Sequence, residues 1–315
     1  MTRFIIRRIL QSFLILLAVS AISFTVQRLT PGGPTQFAED PRLPKEYSDQ
    51  LKRDFGLDEP VHIQYVRWLQ QLGQLNFGRS FQDNRPVIEK IAERLPNTLL
   101  LSGSALLISL VGIPLGIVAA LKRNSRFDHG LRAFSVVINC VPHWWLGLLI
   151  FVLMVSTGVI IFPIGGVYTP GNGSPLDRLH HLILPALLAG LSGWLGFSRF
   201  MRAEMLEVIS QDYIRTARAK GLAEKTVIYG HALRNALIVL VTLMGGILAG
   251  LISGGVLFEY VFSWPGMGRL AIESANQRDY PVVMALVMIT ASLLILGNLV
   301  ADIAYGFVDP RIKYE

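Results

Sequence analysis

Residues 204–237 read EMLEVISQDYIRTARAKGLAEKTVIYGHALRNAL. This is the longest polar stretch in the second half of a chain otherwise dominated by apolar runs. Met205, Ile209, Tyr213 and Ala217 recur at intervals of four, and Leu206, Ile209 and Tyr213 make a second row, so one side of a helix is apolar. Glu207, Asp212, Arg215, Arg218 and Lys220 fill the other faces. Gly221 breaks the pattern where a glycine can end a helix in the left-handed conformation. A second polar helix is expected over residues 223–235. The spacing thus predicts two short amphipathic helices with a glycine elbow, hung between two membrane spans.

Composition supports the membrane setting. Of 315 residues, 52% are hydrophobic and 16% charged, and mean hydropathy is +0.47. Soluble domains carry about 25% charged residues. The formal net charge is +7, yet the basic residues sit between apolar runs rather than in one patch, which points to topology and away from nucleic acid. The lone Cys140 excludes an intramolecular disulfide and is expected as a small buried packing residue. Arg3, Arg7 and Arg8 precede the first apolar run, which is long for a signal peptide and has no A-x-A-like cleavage site; it is expected to be retained.

A membrane helix needs about 20 apolar residues, and six stretches qualify: 9–29, 98–121, 133–161, 182–197, 236–258 and 282–301. The fourth is the shortest and contains Pro185. The fifth carries Gly245, Gly246, Gly250, Gly254 and Gly255, read first as close helix packing and second as a helix beside the pathway. Lys and Arg cluster on one side: Arg3, Arg7, Arg8, then Lys122, Arg123, Arg126, Arg132, then Arg199, Arg202 and the basic residues of 215–234, then Arg311 and Lys313. The short loops opposite hold only Arg178, Arg269 and Arg278. Both termini and the 204–237 stretch are therefore expected in the cytoplasm. The segment 30–97 falls outside; its aromatic, amphipathic part around Tyr65–Leu69 fits either a small cap packed on the bundle or a docking surface for an external protein. In the outer loop 259–280, Trp264-Pro265-Gly266 signals a turn before a short amphipathic helix, and Trp264, Tyr260 and Tyr280 are expected to anchor at the membrane interface.

Catalytic motifs are absent. Without a Gly-Lys pair there is no phosphate loop, and neither H-E-x-x-H nor G-x-S-x-G occurs. His180-His181 are adjacent, so on a helix they point different ways and make a poor metal pair. The span centres lack the Asp, Glu or Arg that an ion-coupled transporter keeps for its coupling ion. Asn139 and Asn298 are expected to hydrogen-bond between helices; His143 is read as a satisfied core histidine, or as lying near a pore surface. Asn139, His143, Gly246, Gly250 and Gly254 are the helix-packing or pathway candidates. If such a bundle moves a solute uphill, the energy must arrive from elsewhere, and the polar helix pair is the place for it to enter.

Residues 211–237, with Asp212-Tyr213, TARAKGL and HALRNAL, resemble the cytoplasmic loop of ABC-importer permeases, and more narrowly the B-type permease of the dipeptide/oligopeptide (and nickel) uptake family. The resemblance covers essentially the whole chain through RLTPGGP (28–34), FGLDEP (55–60), FGRS (77–80), RLPNT (94–98), GIPLG (112–116), VFSWPGMGRL (261–270), RDYPVV (278–283) and DPRI (309–312). It implies an all-α membrane protein of six transmembrane helices with the type I importer permease fold. Residues 1–29 would be the first helix, 30–97 an extracytoplasmic loop domain, 98–306 the permease core with cytoplasmic loop 199–235, and 307–315 a cytoplasmic tail. The implied function is a non-catalytic transport subunit for peptides in a prokaryotic cell membrane, without nucleic acid. Its implied partners are a second, C-type permease, membrane lipid, two ATP-binding subunits and an extracytoplasmic substrate-binding protein. ATP and Mg would be bound by those partners, and this chain would hold no cofactor, metal or catalytic residue. The ATPase-docking coupling helix would comprise Asp212, Tyr213, Ile214, Arg215, Thr216, Ala217, Arg218, Ala219, Lys220 and Gly221. Tyr213, Ile214 and Ala217 would supply apolar contact, and Asp212, Arg215 and Arg218 rim pairing.

Alternative readings are a nickel-chelate or glutathione permease, a secondary transporter or channel, and a membrane-embedded enzyme. The uncharged spans argue against the secondary transporter, and the missing motifs against the enzyme.

Overall fold

The computed structural model describes residues 2–30, 44–55, 58–237, 251 and 255–308. Among them the regular structure is helical, with two isolated bridges, Arg79–Pro86 and Thr169–Asn172. In chain order the helices are α1 (Thr2–Leu29), α2 (Lys45–Phe55), α3 (Val61–Gly73), α4 (Val87–Leu110), α5 (Gly112–Leu121), α6 (Arg126–Asn139), α7 (His143–Thr157), α8 (Pro175–Ile209), α9 (Asp212–Ala219), a π-helical turn (Thr226–Ala232), α10 (Val256–Val261), α11 (Met267–Asn276) and α12 (Tyr280–Val308).

Among the described residues, four stretches are long and apolar enough to cross a membrane: α1, α4 continued by α5, α8 and α12. The predicted third span is not one rod. It breaks between α6 and α7 with an 82° bend, because Pro142 disfavours a helical Val141 and starts α7 afresh as its N-cap. Cys140 lies exposed at this elbow and not, as expected, in the core. Asn139 is exposed there too and, among the described residues, makes no bond to a neighbouring helix. His143 opens α7 with its Nε2 buried and unpaired, so it is not a satisfied core histidine. Asn298 is likewise exposed, beside Gln11 and Ser12 in the groove between α1 and α12. Most of the predicted fifth span, with Gly246, Gly250 and Gly254, lies outside the described residues.

The fourth span differs most from its sequence estimate. α8 has 35 residues, about 52 Å at ~1.5 Å per residue, and so projects well beyond a hydrocarbon core of about 30 Å. Its start is well specified: the Ser174 hydroxyl accepts from the Asp177 N–H at 3.2 Å, and Pro175 occupies the first turn, where a missing N–H costs nothing. The helix continues through Pro185, whose ring is buried against the bundle.

Burying apolar surface does not draw helices together inside a bilayer, so close packing must. Small residues provide it along α8. A Cβ on Gly112 would overlap the Trp194 carbonyl, and one on Gly116 the Ser198 carbonyl; this explains the GIPLG motif. On α8 itself, a Cβ on Gly193 would strike the Ser109 hydroxyl, which donates to the Gly190 carbonyl at 3.0 Å. The α4–α5 and α8 backbones are therefore in direct contact and form one block. Part of the 30–97 segment caps the bundle: α3 sets Tyr65 and Trp68 against Phe24 of α1, at 5.3 and 5.8 Å between ring centroids, and the Tyr65 and Ser20 hydroxyls lie 2.7 Å apart.

Candidate functional site

At the C-terminal end of α8 the chain turns through Ser210 and an extended Gln211 into α9. The expected row Met205, Ile209, Tyr213, Ala217 is split by this turn: Met205 and Ala217 are buried, but Tyr213 is exposed, and Ile214 beside it takes the inward place. Ile214 is fully buried, and with Ala217 it packs on Ile117 and Ala120 of α5, Met201 and Met205 of α8, and Val227. Around these two residues, 211–226 are exposed throughout. The expected apolar contact surface therefore divides: Ile214 and Ala217 serve this chain's own core, and only Tyr213, 43% accessible, remains outside. The Tyr213 hydroxyl is held by the Asn235 amide at 2.9 Å.

The elbow is a Schellman closure. The Gly221 N–H donates to the Arg218 carbonyl at 2.9 Å and the Leu222 N–H to the Ala217 carbonyl at 3.4 Å, with Gly221 at φ +76°. Nothing lies within 4 Å of where a Cβ would be, so the demand for glycine is conformational and not steric. Across the turn, Arg218 forks onto Glu224 at 2.6 and 3.1 Å. That hydrogen bond raises the Arg218 pKa and holds the Glu224 carboxyl below its ordinary range. Asp212 and Arg215, by contrast, meet only at 3.4 Å, with side chains 94% and 74% accessible. They are available to another molecule. Thr216 folds its hydroxyl back onto the Asp212 carbonyl, and Ala219 and Lys220 complete the exposed face.

The site rests on a joint that topology counting overlooks. Asp128, wholly buried at the start of α6, accepts from Arg202 Nε and Nη2 at 2.6 and 2.8 Å and from the Asn124 N–H at 2.9 Å. This fork ties α6 to α8 one residue from Met201, which packs with Ile214.

The opposite end of α8 holds a second constellation. Trp264 is fully buried and donates its indole N–H to the Asn97 carbonyl at 2.8 Å; it is not the interface anchor expected. Tyr280 is buried as well, and only Tyr260 is exposed. The Asn97 amide donates to the Pro265 carbonyl at 3.0 Å, and its Oδ1 accepts from Arg178 of α8 at 2.8 Å. Next to it, Glu259 is fully buried and caps α11, accepting from the N–H groups of Gly268 and Arg269 at 2.7 and 3.1 Å and from the Thr98 hydroxyl at 2.7 Å. A Cβ on Gly266 would overlap that carboxylate. Asp279 plays a parallel part, accepting from Ser80 and from the Phe81 N–H at 3.0 Å, with Lys90 at 3.8 Å. The motif RLPNT thus partners SWPGMG in space, and FGRS partners RDY. Sequence periodicity has no access to such pairings.

Between these ends a cavity of about 370 Å³ opens among Ser102, Ser109, Gly193, Phe197, Leu251 and Phe258. His180 and His181 turn apart, to the carbonyls of Ile161 and Asp177 at 3.0 and 2.9 Å.

Comparison with known proteins agrees with this architecture over the full length. Residues 112–314 match the family described as the binding-protein-dependent transport system inner membrane component, and residues 1–102 match its N-terminal companion. The oligopeptide transport system permease protein AppB of Bacillus subtilis is 44% identical, with all of both chains covered. A putative peptide transport system permease of Brucella abortus is 39% identical, and the di/tripeptide transport system permease DppB of Pseudomonas aeruginosa 37%, each again over the whole of both chains. A bundle of membrane-length helices with a projecting polar loop, matched end to end in this way, belongs to the family of inner membrane components of binding-protein-dependent transport systems.

Proposed function

We propose that this chain is the permease subunit of an ATP-driven ABC importer and forms half of a membrane pathway for peptides. The full-length similarity to oligopeptide and di/tripeptide permeases supports the substrate class. In this reading six helices cross the membrane, both termini and α9 face the cytoplasm, and a second, homologous permease completes the pathway. Two ATP-binding subunits supply the energy and hold ATP and Mg; a binding protein delivers substrate outside.

The observation that carries the proposal is the division of α9. Its apolar side is consumed by the bundle, its charged side is exposed with Asp212 and Arg215 only loosely paired, and the Gly221 closure with the Arg218–Glu224 fork fixes the angle at which that side is presented. A helix lying on lipid would do the reverse and turn its apolar side outward. An ATP-binding subunit seated on Asp212, Tyr213 and Arg215 pushes directly on Ile214 and hence on α5 and α8, so a displacement of α9 becomes a displacement of the block.

The test is purification of the tagged chain in mild detergent, followed by reconstitution. Recovery of a second permease and two ATP-binding subunits, with ATP-dependent peptide uptake once binding protein is added, is expected. Recovery of the chain alone, still transporting, overturns the proposal.

A further inference from the structure

We propose that Asn97 is the positioning residue through which movement of the α4–α5–α8 block reaches the 256–276 element at the far end of the bundle. The proposal rests on the transport reading above. The block is one mechanical unit because the α5 and α8 backbones touch at Gly112 and Gly116. At one end it carries α9 through Met201, Met205 and Ile117. From Arg202 to Arg178 the same helix rises about 36 Å at ~1.5 Å per residue, and there Arg178 meets Asn97.

Asn97 engages every polar group it has to offer on this side. Oδ1 takes the Arg178 guanidinium, Nδ2 gives to the Pro265 carbonyl, and its backbone carbonyl takes the Trp264 indole N–H. It thereby joins α4, α8 and the turn between α10 and α11. The neighbouring Thr98 reinforces the link, donating to Glu259 and accepting from the Met267 N–H at 2.7 Å. The turn that Asn97 grips follows α10, which directly succeeds the segment outside the described residues. Hydrogen bonds to both sides hold direction as well as distance, whereas apolar contact alone would let the turn slide.

The experiment uses the complete assembly with its binding protein in proteoliposomes. It measures labelled tryptic casein digest accumulated per ATP hydrolysed. Asn97→Ala removes both side-chain bonds, each of the order that shifts an equilibrium several-fold, so the peptide-to-ATP ratio is expected to fall about tenfold while ATP hydrolysis stays within about twofold of the original. Trp264→Phe, which removes the indole donor, is expected to lower the same ratio. A purely structural role would lower the yield of assembly and leave the ratio per assembled complex untouched. An unchanged ratio in assembled Asn97→Ala overturns the proposal. If that variant does not assemble, Arg178→Lys keeps the cation and loses the guanidinium N–H that reaches Oδ1; an unchanged ratio there overturns it equally. Absence of ATP-dependent uptake by the unsubstituted assembly would instead overturn the transport reading, so the two failures are distinct.

Discussion

The two ends of α8 are built on opposite principles. At the α9 end, apolar side chains are buried and charges such as Asp212 and Arg215 are left to solvent, loosely paired. At the Asn97 end, Glu259, Asp279, Thr98 and Ser80 are all buried, and each is satisfied by a partner distant in sequence. One end keeps its polar groups available for another molecule; the other uses them to hold four chain segments together. Exposed pairs contribute little to stability, while removing one partner of a buried pair strands the rest. The same type of residue is thus exposed and loosely held at one end, and buried and fully paired at the other.

The comparison is broken most directly at Glu259. Glu259→Ala leaves two helix N–H groups and a hydroxyl unpaired and empties the space beside Gly266. A cost of about 3–5 kcal/mol is expected, read as a large drop in the thermal midpoint of the purified protein or as loss of the folded form. A small shift would mean that the far end is not held by its buried polar groups. Gly221→Ala comes next. The left-handed backbone costs a side chain about 1 kcal/mol, so stability should fall slightly while peptide uptake falls much further. Equal losses in both would show that the elbow serves folding alone.

The double change Asp212→Ala with Arg215→Ala should shift the midpoint by less than about 0.5 kcal/mol equivalent and abolish co-purification of the ATP-binding subunits. Normal uptake by that variant would remove α9 as the docking helix. The smallest effect concerns pH. Glu224 has its folded pKa depressed by Arg218, so the fork's contribution is present above the ordinary glutamate range and is lost as pH falls through the lower, folded value. Protease cleavage at the elbow should accelerate only in that acidic window, and Glu224→Gln should remove the pH dependence.

How much of this was legible in advance varies by element. The Gly221 elbow was readable because a glycine after a helical pattern is a local signal, but the break at Ser210–Gln211, which gives Met205 and Ile209 to α8, was not. Which way the apolar row faces was not. Tyr213, Ile214 and Ala217 share a stripe, and whether that stripe meets this chain or a partner depends on where Met201 and Val227 end up. The third span misled because mean hydropathy cannot register the direction change at Pro142. Trp264 misled because an aromatic near a membrane boundary suits the interface equally well until Asn97 is seen to accept its N–H.

By itself the sequence determined the all-helical membrane class, the positions of the apolar runs and the projecting polar loop, since these depend on composition and on periods of a few residues. Tertiary structure alone decided which polar groups are buried and paired, which face of α9 stays open, and which helices pack as one block. Those properties depend on residues up to 199 positions apart, as Ser80 and Asp279 are, and on backbone contacts that only glycine permits. No local pattern encodes either.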